Sequence, residues 1–159
     1  MLAGKLVQRA AVIGGFAAIG AIVVFMVLLQ ISTAQNATFK QGWNSIKAQA
    51  NDLTAKYQAE EGKWKARQYD NATMAEIVDS YLPKYQQLVD GAKAIETPDR
   101  YIDARDLLVK SIEAEKDSNE HFREYLLTGD DKEYKKASDL LSLSLKHEAE
   151  SSVAMSAAG

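Results

Sequence analysis

The sequence predicts an all-α protein, in which a single N-terminal transmembrane helix continues into an up-down-up-down four-helix bundle. Three observations predict it. No side chain between Arg9 and Lys40 is charged, and Ala10 to Leu29 is an unbroken run of about 20 apolar or small residues. Beyond that run, apolar residues recur at alternating steps of four and three, the spacing of one helix face. Capping residues and glycines cut the remainder into four such stretches, with no period-two alternation to compete.

The first element is the apolar run. At about 1.5 Å rise per residue it spans roughly 30 Å, the thickness of a bilayer's hydrocarbon core. A secretory signal peptide is the rival: Lys5 and Arg9 precede the run and Ser32, Thr33 and Ala34 are small. Signal cores, however, run about 7–15 residues, so the reading here is a retained anchor. A pilin-type leader cut at Arg9 would carry an acidic residue early in the helix, and Val12 to Phe16 has none. Lys5, Arg9 and the α-amine flank the run on its N-terminal side, which by the positive-inside rule places residues 1–9 in the cytoplasm, 10–32 in the cell membrane and 33–156 outside the cytoplasm. Residues 157–159 are expected to fray. Two Asn-x-Thr sequons, at Asn36 and Asn71, suit an outside location but also arise by chance.

Small residues repeat along the run: Ala10, Gly14 and Ala18 form one ladder, and Ala11 and Gly15 extend it. Such ladders let two helix backbones approach closely in lipid, although Gly and Ala are also frequent in membrane helices at large. The span carries no ionisable residue, which argues against a proton or ion path through it.

The bundle helices follow in order. Phe39, Trp43, Ile46, Ala50, Leu53, Tyr57 and Trp64 form the seam of the first, which is expected to continue the membrane helix and to end at Gly62 or fray toward Tyr69. Thr73-Met-Ala-Glu76 has the pattern of a capping box for the second, whose seam is Met74, Val78, Tyr81, Tyr85, Leu88, Ala92 and Ile95. Pro83 inside that seam predicts a kink. Thr97 and Pro98 read as the N-cap and first position of the third helix, with Tyr101, Ala104, Leu108, Ile112, Phe122 and Tyr125 inward. Gly129 stops it. Asp130 to Glu133 caps the fourth helix, which is expected to carry Tyr134, Ala137, Leu141 and Leu145 inward and to fray over its last nine residues.

One layer of the bundle is polar. Ser111, Glu115 and Ser118 fall on the inner stripe of the third helix, and Ser144 and Glu148 of the fourth lie at a similar level. Either these side chains sit at the seam's edge in water, or they form a small polar pocket or a register-fixing layer.

Composition and motifs exclude several functions. The chain has 19 basic and 22 acidic side chains; without Lys5 and Arg9 the part outside the membrane keeps 17 against 22 and lacks the concentrated basic face that nucleic acid requires. There is no cysteine, hence no thiol nucleophile or thiolate metal site. The two histidines, His121 and His147, each precede a glutamate by three residues, and folding about Gly129 puts them at different levels. They are expected to be solvated and to share no metal. No cofactor, no metal and no catalysis by this chain alone are expected.

The order of elements, and the stretch EYLLTGDDKEYKKA (residues 124–137), resembles the extracytoplasmic four-helix input domain of chemoreceptors and histidine kinases. Those proteins return through the membrane after the fourth helix. The sequence here ends at Gly159, so this resemblance implies a sensor or solute-binding bundle that acts through a partner. The stretch TPDRYIDARDLLVKSIEAEKDSNEHFREYLLTGD (97–130), with one anchor and an outside helical domain, looks like the small helical subunits around the core of archaeal ammonia monooxygenase. That resemblance implies a non-catalytic accessory subunit that scaffolds or stabilises a larger membrane complex, with partner subunits and the lipid bilayer as its contacts.

Overall fold

A computed structural model describes the backbone of residues 3–159 and the side chains from residue 32 onward. It is all-α: α1 (Ala3–Lys65), α2 (Asn71–Lys93), a 3-10 turn (Asp99–Tyr101), α3 (Ile102–Thr128) and α4 (Asp131–Ala158). Two compact units divide the chain, Met1–Thr38 and Phe39–Gly159, and the second is the helical bundle. The apolar run and its ladder of Ala10, Ala11, Gly14, Gly15 and Ala18 precede residue 32 and lie outside the described side chains. Among the described residues, no helix is long and apolar enough to cross a membrane.

Ring contacts show the up-down order within the bundle. Phe39 stacks on Tyr101 with centroids 4.7 Å apart, and Trp64 meets Phe122 edge-on at 5.3 Å, so the bundle part of α1 runs parallel to α3. Tyr57 packs against Tyr81, and Trp64 Nε1 donates to Asn71 Oδ1, so α2 runs the other way. Ser151 meets Ala104 and Ser118 meets Ala137, which makes α4 antiparallel to α3.

The seams of the first three helices are inward as the spacing predicts. Phe39, Trp43, Ala50 and Tyr57 are buried on α1; Met74, Val78, Tyr85, Leu88 and Ala92 on α2; Ala104, Leu108, Ile112 and Phe122 on α3, with Tyr101 just before it. They form two apolar clusters. One gathers Phe39, Tyr101, Leu108 and Ile112 with Val89 and Ala92; the other gathers Tyr57, Met74, Val78, Phe122 and Leu126.

α1 passes through Gly62 and closes at Lys65, between the two ends expected for it, and Arg67 just beyond takes a left-handed φ of 60°. Other helix ends depart from the sequence reading. The cap of α2 is Asp70, three residues before Thr73: its carboxylate accepts from Thr73 N–H at 2.7 Å, and a carboxylate suits a helix N-terminus better than a hydroxyl one turn in. Thr97 does not cap α3, because its hydroxyl donates back to Ile95 O at 2.7 Å; the chain instead tightens into the 3-10 turn that seats Tyr101 under Phe39. Pro83 sits inside α2 at an exposed position, and the helix continues on both sides of it. Gly129 stops α3 at φ 72°, its N–H donating to Tyr125 O, and Asp130 caps α4 by accepting from Lys132 N–H.

The fourth helix is the main correction. Only Ala137, Ser144 and Ser151 are buried on it, while Tyr134, Leu141 and Leu145, expected inward, are 48%, 39% and 60% exposed. The helix is turned so that small residues face α3. Ala104, Ser111 and Ser118, seven apart on α3, oppose Ser151, Ser144 and Ala137, seven apart on α4. Each level is closed by a hydroxyl donating to a backbone carbonyl of the other helix: Ser151 to Ala104 O at 2.7 Å, Ser111 to Ser144 O at 3.0 Å, Ser118 to Ala137 O at 2.7 Å. Small side chains allow the close approach that these bonds need. The same packing holds the end of α4, which stays helical through Ala158 where fraying was expected, with Met155 and Ala158 against the first cluster.

Candidate functional site

Glu115 occupies a seam position of α3 between Ile112 and Phe122, where an apolar residue would normally stand. Of the two readings open for the polar layer, the structure favours the enclosed one, with Ser111, Ser118 and Ser144 in the cross-helix bonds that set register and Glu115 beside a pocket. Ser111, Ser118 and Ser144 are buried, and Glu115 is only partly open, while Glu148 lies at the rim, paired with Lys47 at 3.4 Å.

Two neutral hydroxyls hold the Glu115 carboxylate. Thr54 Oγ1 of α1 donates to Oε1 at 2.7 Å, and Tyr85 OH of α2 donates to the same oxygen at 2.9 Å. Burial pushes the carboxyl above the ordinary glutamate range; the two hydroxyl bonds oppose that, and the negative charge of Glu148 adds to it. Tyr57 and Tyr85 are both pushed far up, first by burial and then by neighbouring acidic groups, so both stay neutral phenols.

A cleft opens beside this layer between α1, α3 and α4. Its main cavity, about 150 Å³, has Tyr57, Glu115, Asn119, Phe122, Tyr134 and Leu141 among its walls. A second cavity of about 100 Å³ adjoins it and shares Gln58, Glu115 and Leu141. The α1 wall is polar and the α4 wall apolar, because α4 has turned its large side chains away from α3. Two buried polar atoms on the main cavity's walls are poorly satisfied: Tyr57 OH has no hydrogen-bond partner, and the Asn119 amide has only a loose contact with the Tyr85 phenol oxygen. An unpaired buried donor costs roughly 1–3 kcal/mol, so this layer departs from the usual satisfaction of buried polar groups.

The histidines stand apart from the cleft. His121 Nδ1 pairs with Glu133 of α4 at 2.6 Å, and not with Glu124 three residues on, which meets Arg123 instead. His147 pairs with Glu150 at 3.1 Å, as its spacing predicts. Among the described residues, no group of three or more His, Asp or Glu is placed to hold a metal ion.

Sequence spacing placed Ser111, Glu115, Ser118 and Ser144 in one layer. It missed Thr54, Tyr57, Tyr85 and Asn119. Tyr57 and Tyr85 were legible only as apolar seam residues, and Thr54 and Asn119 stand one position after the seam residues Leu53 and Ser118, where helix rotation decides whether a side chain faces in. No family model matches the chain, nor does any curated protein or solved structure.

Proposed function

We propose that this protein is a non-catalytic, single-pass membrane subunit. Its bundle stands outside the cytoplasm and braces a larger membrane complex. Residues 10–32 are the anchor in this reading, residues 1–9 stay in the cytoplasm, and the ladder of Ala10, Ala11, Gly14, Gly15 and Ala18 packs on a neighbouring membrane helix. The likeness of residues 97–130 to the accessory subunits of archaeal ammonia monooxygenase makes such a complex the first candidate.

One observation carries the reading. Of the seven large apolar side chains exposed among the described residues, five lie on α4: Tyr134, Leu141, Leu143, Leu145 and Val153. Tyr134, Leu141 and Leu145 flank the cleft, and Leu143 and Val153 lie away from it; a helix that buries only small residues and leaves its large ones this exposed is built to be covered by something else. The test is mild-detergent extraction from the native membrane followed by native sizing. Wild type is expected in a large assembly, and the double variant Leu145→Asp, Val153→Asp is expected to leave it while keeping its helical circular dichroism. Gly14→Leu with Ala18→Leu should weaken the same assembly from the membrane side. A wild-type chain that migrates alone, or only with copies of itself, overturns the reading.

A further inference from the structure

We propose that the cleft beside Glu115 binds a small alkylammonium ion, its charged head on the Glu115 carboxylate and its hydrocarbon tail against Phe122, Tyr134 and Leu141.

Charge is the first argument. Glu115 is a half-enclosed carboxylate with no cation of its own. Its two hydrogen bonds come from uncharged hydroxyls. The charged and titratable groups that face it from the packed helices are Tyr57, Glu61, Lys47 and Lys65 on α1, Tyr85 on α2 and Tyr134 and Glu148 on α4. The two lysines are already engaged, Lys47 with Glu148 at 3.4 Å and Lys65 with Glu61 at 3.5 Å. The charge nearest in effect is the like charge of Glu148. A carboxylate drawn out of water without a counter-charge is costly, and a cation entering the cleft would relieve that cost.

The poorly satisfied atoms are the second argument and are independent of charge. Tyr57 and Asn119 are each about 5% exposed and both line the same cavity; Tyr57 OH has no partner, and the Asn119 amide has only a loose contact with the Tyr85 phenol oxygen. Both atoms are closed off from solvent as the cleft stands, so the occupant's first contact is the Glu115 carboxylate, and Tyr57 and Asn119 meet it after a small rearrangement of the cavity wall. A primary ammonium has three N–H donors, for which the Glu115 carboxylate and the Tyr57 phenol oxygen are the acceptors on that wall.

Size and wall chemistry select the rest of the ligand. A cavity near 150 Å³ accommodates about six non-hydrogen atoms, by analogy with cavities of that volume that admit benzene. Its far side is Phe122, Tyr134, Ala137 and Leu141, which suits a short hydrocarbon chain and gives aromatic faces to a nearby cation. A bare metal cation would find no free second carboxylate on the walls, since Glu61 is paired with Lys65 and Glu148 with Lys47.

The inference does not rest on the partner reading and is tested on the purified full-length chain in detergent micelles, with n-pentylammonium as probe and 1-pentanol as its uncharged counterpart of equal size. NMR of the side-chain amide of Asn119 and the backbone amides of Glu115 and Tyr57 is expected to shift saturably with n-pentylammonium, at concentrations at least tenfold lower than with 1-pentanol. Glu115→Gln, which still accepts from Thr54 and Tyr85, is expected to abolish that preference while leaving the weak pentanol response. Lowering the pH through the titration of Glu115 should weaken n-pentylammonium binding alone, because the proton competes for the same carboxylate. Leu141→Trp, which fills the cleft from its exposed α4 wall, should remove both responses without unfolding the chain. Equal responses to the two probes, no saturable shift with either, or undiminished binding in Glu115→Gln each overturns the proposal.

Discussion

Helices α2 and α4 are similar in length, 23 and 28 residues, and both pack along α3, yet they do so by opposite means. α2 buries Met74, Ala75, Val78, Tyr85, Leu88, Val89 and Ala92, so it is held by apolar volume. α4 buries Ala137, Ser144 and Ser151, so it is held by close approach and three cross-helix hydroxyl bonds. The two seams answer different needs. An apolar seam is strong and indifferent to small shifts along its length. A small-residue seam contributes less per residue, but it fixes register, since each hydroxyl meets a carbonyl at one level only. It also frees the large side chains of α4 to form a wall of the cleft and an outward face.

The comparison can be broken most severely on the α2 side. Tyr85→Ala empties a fully buried aromatic site and removes one of the two donors to Glu115. It is expected to cost about 3–5 kcal/mol in urea unfolding. Forcing α4 away from α3 comes next: Ser144→Leu overpacks a seam built for small residues and should cost about 1–3 kcal/mol by the same measurement. Ser151→Ala keeps the close approach and deletes only the bond to Ala104 O, for a loss of about 1 kcal/mol. If Ser144→Leu proves harmless, the tight α3–α4 seam is not what holds α4.

Two smaller effects sharpen the contrast. Because burial raises the Glu115 carboxyl above its unfolded value, the folded state holds the extra proton between the two values. Stability therefore falls as pH rises through that window, above the ordinary glutamate range. Urea midpoints from about pH 4 to about pH 8 should show this slope in wild type and lose that component in Glu115→Gln, which is expected to be the more stable of the two at neutral pH. The smallest effect belongs to the outward face. Leu145→Ser, at a site 60% exposed, should change stability by no more than about 0.5 kcal/mol while Leu108→Ser on α3 unfolds much of the population.

Much of this arrangement was legible in the residues. The four-three spacing of Phe39 to Tyr57, of Met74 to Ala92 and of Ala104 to Phe122 named the buried faces of three helices, because an apolar stripe wide enough to bury has one way to turn. Gly129 and Asp130 marked the last turn, since a left-handed φ and an N-cap are properties of single residues. The caps at Thr73 and Thr97 were misread because a hydroxyl has rival partners: Asp70 offered a better acceptor, and the Ile95 carbonyl lay two residues away from Thr97. The polar cleft was half legible, for Glu115 and its serines share a stripe on one helix, whereas Thr54, Tyr85 and Asn119 join it only through packing.

The sequence by itself determined the helices, their ends to within a few residues and the inward faces of the first three, since periodicity and capping act over one or two turns of chain. Only the tertiary structure decided the rotation of α4. That helix carries two stripes suited to burial, one of large apolar residues through Tyr134, Leu141 and Leu145 and one of small residues through Ala137, Ser144 and Ser151. The choice between them depends on the surface opposite, where Ala104, Ser111 and Ser118 leave room for a backbone and offer hydroxyls and a carbonyl to meet it.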